Sequence, residues 1–189
     1  MVSAGTAQGT QDAHAQANAG TADAAAAEAS GAVRSDAALD ARNAFGLLGT
    51  LGITILPGGN EHEVKATMRV TDALLQAFGV LHGGATCALL ETVAGVAAGH
   101  YADPQRDRVF GVELHFRHRR PGLKGHLITG VATFDRIEGN KYYYDVATYD
   151  EDGTLLTEGW VMNKIVSQAY LASRNPAAAR ETHAPIGAA

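Results

Sequence analysis

From His82 to His100 the chain runs nineteen residues with a single acid, Glu91, and no lysine or arginine. Alanine, leucine, valine, glycine and threonine make up most of it. A helix without a polar face is stable only when it is covered on most sides. The segment therefore predicts a buried central helix and obliges the rest of the chain to wrap it. Nothing in the sequence approaches the roughly 20 apolar residues that a membrane helix requires, so no membrane partner is expected. With 46% hydrophobic and 19% charged residues, the composition is that of a soluble globular protein.

The wrapping material reads as strands. Val64, Ala66, Met68 and Val70 alternate with polar or charged neighbours, the period-2 pattern of a strand with one buried face. Val109 to His118, Leu127 to Ile137, Lys141 to Tyr149 and Leu155 to Val166 are rich in Val, Ile, Thr, Tyr and Phe. Pro121-Gly122, Glu138-Gly139-Asn140 and Asp150-Glu151-Asp152-Gly153 separate them. Turns this short join antiparallel neighbours, so these strands are expected to pair in chain order as a meander. Upstream, Asp36 is placed to cap a helix carrying Leu39, Phe45, Leu47 and Leu48, followed by a short apolar run from Ile53 to Leu56 and a turn at Pro57-Gly58-Gly59-Asn60. The fold class expected is α+β, a long buried helix wrapped by a curved antiparallel sheet of about five or six strands.

Residues 1–35 contain no Leu, Ile, Phe, Trp or Tyr and have little to bury against the entropy of ordering, so they read as a disordered Ala-rich tail. They lack the basic start, leucine-type core and repeated arginines of targeting segments. Residues 169–189, with Asn175-Pro176 and an alanine run, read as a flexible C-terminal extension, leaving 36–168 as the folded domain. A net charge of −5 and a pI near 5.9 argue against nucleic-acid binding, which needs a surplus of cations. The lone Cys87 has no disulfide partner and fits a reducing compartment, hence a cytoplasmic location.

Glu91 is the chemical anomaly, an ionisable group among Ala88, Leu89, Leu90, Thr92, Val93 and Ala94. Burying an unpaired carboxylate is costly, so Glu91 is either a functional site or part of a solvated, ion-paired stripe. His82-Gly83-Gly84 stands where the helix begins. Two glycines there leave backbone N–H groups open at the positive end of the helix dipole, which suits an oxyanion; the alternative is a plain glycine turn. Gly83 and Glu91 are eight residues apart, about 12 Å along a helix. One carbonyl cannot touch both. If both act on one group they come from different subunits, and the spacing predicts a homodimer.

The runs Val70-Thr71-Asp72-Ala73-Leu74-Leu75-Gln76 and Gly79-Val80-Leu81-His82-Gly83-Gly84-Ala85-Thr86-Cys87-Ala88-Leu89-Leu90-Glu91 resemble the hotdog-fold thioesterases. The likeness is to the branch of the Arthrobacter-type 4-hydroxybenzoyl-CoA thioesterase and the phenylacetate-pathway (PaaI-like) enzymes. It extends over roughly Ile53 to Val166, with Arg120-Pro121 and Gly125-His126 inside it. The resemblance implies a hotdog fold and hydrolysis of an acyl- or aryl-CoA thioester to free CoA and acid. Glu91 would be nucleophile or general base, Gly83 the N–H that polarises the thioester carbonyl, and Gln76 a positioning residue. His82 is expected to brace the turn and Gly84 to face substrate. The family's threonine one turn after the glutamate is Gly95 here, so that role does not carry over and the narrow 4-hydroxybenzoyl substrate is put in doubt. A dimer of dimers is the assembly implied.

Arg117, His118, Arg119, Arg120 and Lys124 crowd round Pro121-Gly122 in an otherwise acidic chain. The cluster is either a solvated turn or a phosphate site for coenzyme A. Alternation puts Arg117 and Arg119 on one face of a strand and His118 and Arg120 on the other. Arg120 is the favoured contact, and the resemblance adds Asn140 and Lys141 of the next turn. No metal site and no cofactor are expected; coenzyme A is part of the substrate. Two rival readings stand beside hydrolysis, a hotdog dehydratase or hydratase and a non-catalytic acyl-CoA-binding module.

Overall fold

The structure is a computed structural model and describes residues 37–174. Ala37–Asn43 (α1) and Gly46–Leu51 (α2) are short helices leading into β1 (Ile53–Ile55) and β2 (Glu63–Arg69). A 3-10 turn at Asp72–Leu74 precedes the central helix α3 (Gly83–Gly99). Then come β3 (Asp107–His118), β4 (Leu127–Glu138), β5 (Lys141–Tyr149), β6 (Leu155–Ser167) and a last helix α4 (Gln168–Arg174). Among the described residues no helix is long and apolar enough to cross a membrane.

All six strands form one antiparallel sheet in the order β1-β2-β4-β5-β6-β3. The alternating residues Val64, Ala66 and Met68 of β2, together with Val70 just beyond it, are all buried against α3, as the period-2 pattern requires. Leu89, Leu90, Val93, Ala94, Ala97 and Ala98 of the helix have no exposed surface. They meet Ile128, Ala132, Tyr144, Val146 and Val161 from the sheet. Contact is close enough that β4 needs a glycine, since a Cβ at Gly130 would stand 2.8 Å from Leu89 Cγ.

Two expectations are corrected. The four strands after the helix are not a meander in chain order. β4, β5 and β6 are, but β3 pairs with β6 from Asp107↔Ser167 to His118↔Thr157, and β2 takes the edge of β4 that β3 would have filled. Residues 119–126 are a crossover, not a hairpin: the helix lies against the sheet between β2 and β3, and strands on either side of it reach opposite edges. The helix expected from Asp36 is broken into two by Gly46, whose φ of +57 no helix interior accepts, and Asp36 itself lies outside the described residues. The start of α4 is tied to the β3 approach by Gln168 N–H to Arg106 O at 2.8 Å. The expected 1–35 tail and residues 175–189 lie outside the described residues.

Candidate active site

The start of α3 is built by His82. Its backbone is extended (φ −67, ψ 129), and its ring Nδ1 accepts from Gly84 N–H at 2.9 Å. Its carbonyl accepts from Ala85 N–H at 3.0 Å and from Thr86 N–H at 3.3 Å. The first-turn donors of a helix are unsatisfied by the helix itself, and here the cap uses all but one. Among the described residues Gly83 N–H has no partner. Of the two glycines expected to face a ligand, Gly84 spends its donor on the imidazole, and Gly83 keeps its own at the positive end of the dipole.

Gly83 opens on a cleft of about 300 Å³ lined also by Gln76, Thr86, His118, Arg120, Pro121 and Thr157. Gln76 is held there by a tight loop, with Gln76 N–H to Val80 O and Gly79 N–H to Gln76 O both at 2.9 Å, and Gly79 at φ +77. That loop is pinned to the crossover by Leu81 N–H to Gly122 O at 2.9 Å. His118, which the sequence places only in the basic cluster on the same strand face as Arg120, faces the helix start. Its Nδ1 is 2.9 Å from Thr157 Oγ1, and a Cβ on Gly83 would stand 2.9 Å from its Nε2. Crossover, loop and helix start thus converge on one amide.

The basic cluster divides. Arg119 pairs with Glu158 through Nε at 2.9 Å, and Lys124 pairs with Asp72. Arg120 has no acidic partner among the described residues; its Nη1 donates to Leu155 O at 3.1 Å and its side chain borders the cleft. Asn140 and Lys141 are not brought to that cleft. The ring of their neighbour Tyr142 packs, tilted by 38°, at 5.1 Å from that of Tyr101, just past the C-terminus of α3, whereas Gly83 is at its N-terminus.

Glu91 lies half-buried, two turns along the helix, outside the Gly83 cleft. Its carboxylate rests on Gly111 of β3, where a Cβ would stand 2.7 Å from Oε1. Gly111 borders a bulge at Val112, an irregularity of the kind that often re-aims groups beside sites. No ion pair or hydrogen bond engages Glu91 among the described residues, so the ion-paired alternative is not realised among them. Burial pushes the Cys87 thiol above its ordinary value, which disfavours a reactive thiolate. Among the described residues no group of three His, Cys, Asp or Glu could hold a metal ion.

One buried helix wrapped by a six-stranded antiparallel sheet, with an open amide at the helix start, defines the hotdog class of fold. Comparison with known proteins agrees. Residues 78–157 match the thioesterase superfamily model. The chain is 32% identical over 120 residues to the 1,4-dihydroxy-2-naphthoyl-CoA hydrolase of Escherichia coli, covering 62% of this chain and 86% of that one. A solved thioesterase from Haemophilus influenzae superposes with a TM-score of 0.61 at 27% identity, over 67% of this chain and 86% of the other. The PaaI protein of the E. coli phenylacetic acid degradation operon shares the fold, with a TM-score of 0.59 at 20% identity over 68% of this chain and 93% of its own. The chain belongs to the thioesterase superfamily and is a thioester hydrolase.

Proposed function

We propose that the protein hydrolyses an acyl-CoA or aryl-CoA thioester to free CoA and a carboxylic acid, in sites shared by two copies of the chain. The observation that carries this is the pairing of one unengaged helix-start amide, Gly83, with one unengaged half-buried carboxylate, Glu91, too far apart on α3 to serve a single carbonyl. The 1,4-dihydroxy-2-naphthoyl-CoA hydrolase similarity supports a CoA thioester and, within that class, an aryl group.

The thioester oxygen accepts from Gly83 N–H, with Gln76 alongside to orient the group. Glu91 of the other copy takes a proton from water as the water oxygen bonds to the carbonyl carbon and the carbonyl electron pair moves onto oxygen. The tetrahedral intermediate collapses, the C–S bond breaks, and the thiolate leaves and takes up the proton from Glu91. Arg120, beside the cleft and without an acidic partner, is available for a CoA phosphate.

The dimer is supported by the far edge of the sheet. β3 carries Phe110, Val112 and Leu114 at 46%, 50% and 40% exposure along an unpaired edge. An apolar open edge of this length is an association surface. The less buried stripe of α3, Gly84, Cys87, Ala88, Glu91, Thr92, Gly95 and Gly99, is small enough to let a second helix approach. A dimer of dimers and a cytoplasmic location belong to the same reading.

The test is thiol release from acetyl-, hexanoyl-, palmitoyl- and benzoyl-CoA, with Glu91→Gln in parallel. Thiol release that the variant loses is expected. Binding without release supports a non-catalytic module, and modification of the acyl chain with the thioester intact supports a dehydratase or hydratase; either defeats the proposal.

A further inference from the structure

We infer that Asn163 holds the water that Glu91 activates, a role that rests on reading Glu91 as the general base. Asn163 lies within β6 with no exposed surface, and neither its Oδ1 nor its Nδ2 has a hydrogen-bond partner among the described residues. Folded chains rarely bury a carboxamide with both polar atoms idle, and the exceptions call for a ligand, a water or a catalytic duty.

Its position selects the duty. Asn163 pairs with Gly111 of β3. Residues paired in an antiparallel ladder project to the same face with Cα atoms about 5 Å apart. On that face stands α3. Glu91 Oε1 would lie 2.7 Å from a Cβ on Gly111, and a Cβ on Gly95 would meet only Asn163 Oδ1 within range, at 4.0 Å. Glu91 and Gly95 are one helical turn apart, so the carboxylate sits over β3 and the glycine over the carboxamide on β6. Glu91 reaches Gly111, the ladder partner of Asn163, and no hydrogen bond joins the two side chains among the described residues; one bridging water would link them.

A water between them donates one O–H to Glu91 and the other to Asn163 Oδ1, which fixes its oxygen lone pair toward the thioester carbon. On attack the first proton passes to Glu91. The second stays on the new carboxyl group, still held by Asn163, until the acid departs. Gly95 leaves the space over the carboxamide open, a Cβ there reaching only ordinary contact with Oδ1 at 4.0 Å.

The experiment uses the full-length protein and whichever thioester of the panel above is hydrolysed fastest. Asn163→Leu keeps volume and removes the acceptor. It is expected to lower kcat by about 30-fold or more with KM within about threefold, as for a misplaced nucleophile. Thermal stability should not fall, because an idle buried amide is replaced by carbon. Adding Gly95→Ser to Asn163→Leu supplies a hydroxyl over the same spot and is expected to recover part of kcat. Asn163→Ala, which also removes the acceptor, makes the same measurement should the leucine variant not fold. A kcat within about threefold of wild type in either single variant overturns the inference, as does a loss confined to stability or KM. Glu91→Gln separates the two ideas: if it is inactive while Asn163→Leu is fully active, only the role of Asn163 fails; if Glu91→Gln is fully active, both fail.

Discussion

Gly83 and Gly84 are neighbours of one type with different duties. The His82 ring takes the Gly84 N–H, so only Gly83 remains to meet an oxyanion. Proline at the first position of a helix removes an N–H that the helix does not use, and the extended backbone of His82 suits the residue before a proline. Gly83→Pro is therefore expected to keep the fold and lose about 100-fold or more in kcat, the usual cost of an oxyanion donor. Gly83→Ala is the control. It retains the N–H but presses a Cβ toward His118 Nε2 at 2.9 Å, so it should cost far less than proline in the same thiol-release assay. Glu91→Gln is expected to lower kcat by about 100- to 10,000-fold, the range for a general base, with the oligomer unchanged on size-exclusion chromatography.

At the scale of elements, α3 is both part of the core and the carrier of the proposed site. Its packing against β4 is tight at Leu89, and Gly130→Ala forces a Cβ to within 2.8 Å of Leu89 Cγ. Overpacking of this kind costs about 1–3 kcal/mol, to be seen as a lower unfolding midpoint with little change in kcat per folded enzyme. His82→Ala removes the cap acceptor and should cost about 1 kcal/mol, again by denaturation. The helix was legible because nineteen residues with one acid and no base are stable only under cover, and β2 because Val64, Ala66, Met68 and Val70 alternate without a break. The place of β3 was not legible. Its residues have strand character, but nothing local distinguishes a hairpin at Pro121-Gly122 from a crossover. That depends on which edge β2 already occupies.

For the whole molecule the proposed shared site makes a prediction that no single-chain site allows. Glu91→Gln and Gly83→Pro chains, each inactive alone, should regain activity when unfolded together and refolded. In a mixed dimer one site collects both lesions and the other collects neither, so a random mixture is expected to reach about a quarter of wild-type activity. Absence of any recovery would assign both residues to one chain's own site. Val112→Lys places a charge on the exposed β3 edge and is expected to yield monomers with no thiol release, measured by light scattering and the same assay.

Sequence alone determined the elements and the chemical pair. A helix with no polar face must be wrapped, alternation assigns the wrapping strands, and helical rise separates Gly83 from Glu91, all from rules that act within a few residues. The tertiary structure decided what those rules cannot reach. It set β3 beside β6, brought His118 against Gly83, gave one glycine amide to His82 and left the other open, and set Glu91 over Gly111 and Gly95 over Asn163. These contacts join residues far apart in the chain, and only the way the sheet curls round its helix determines which of them meet.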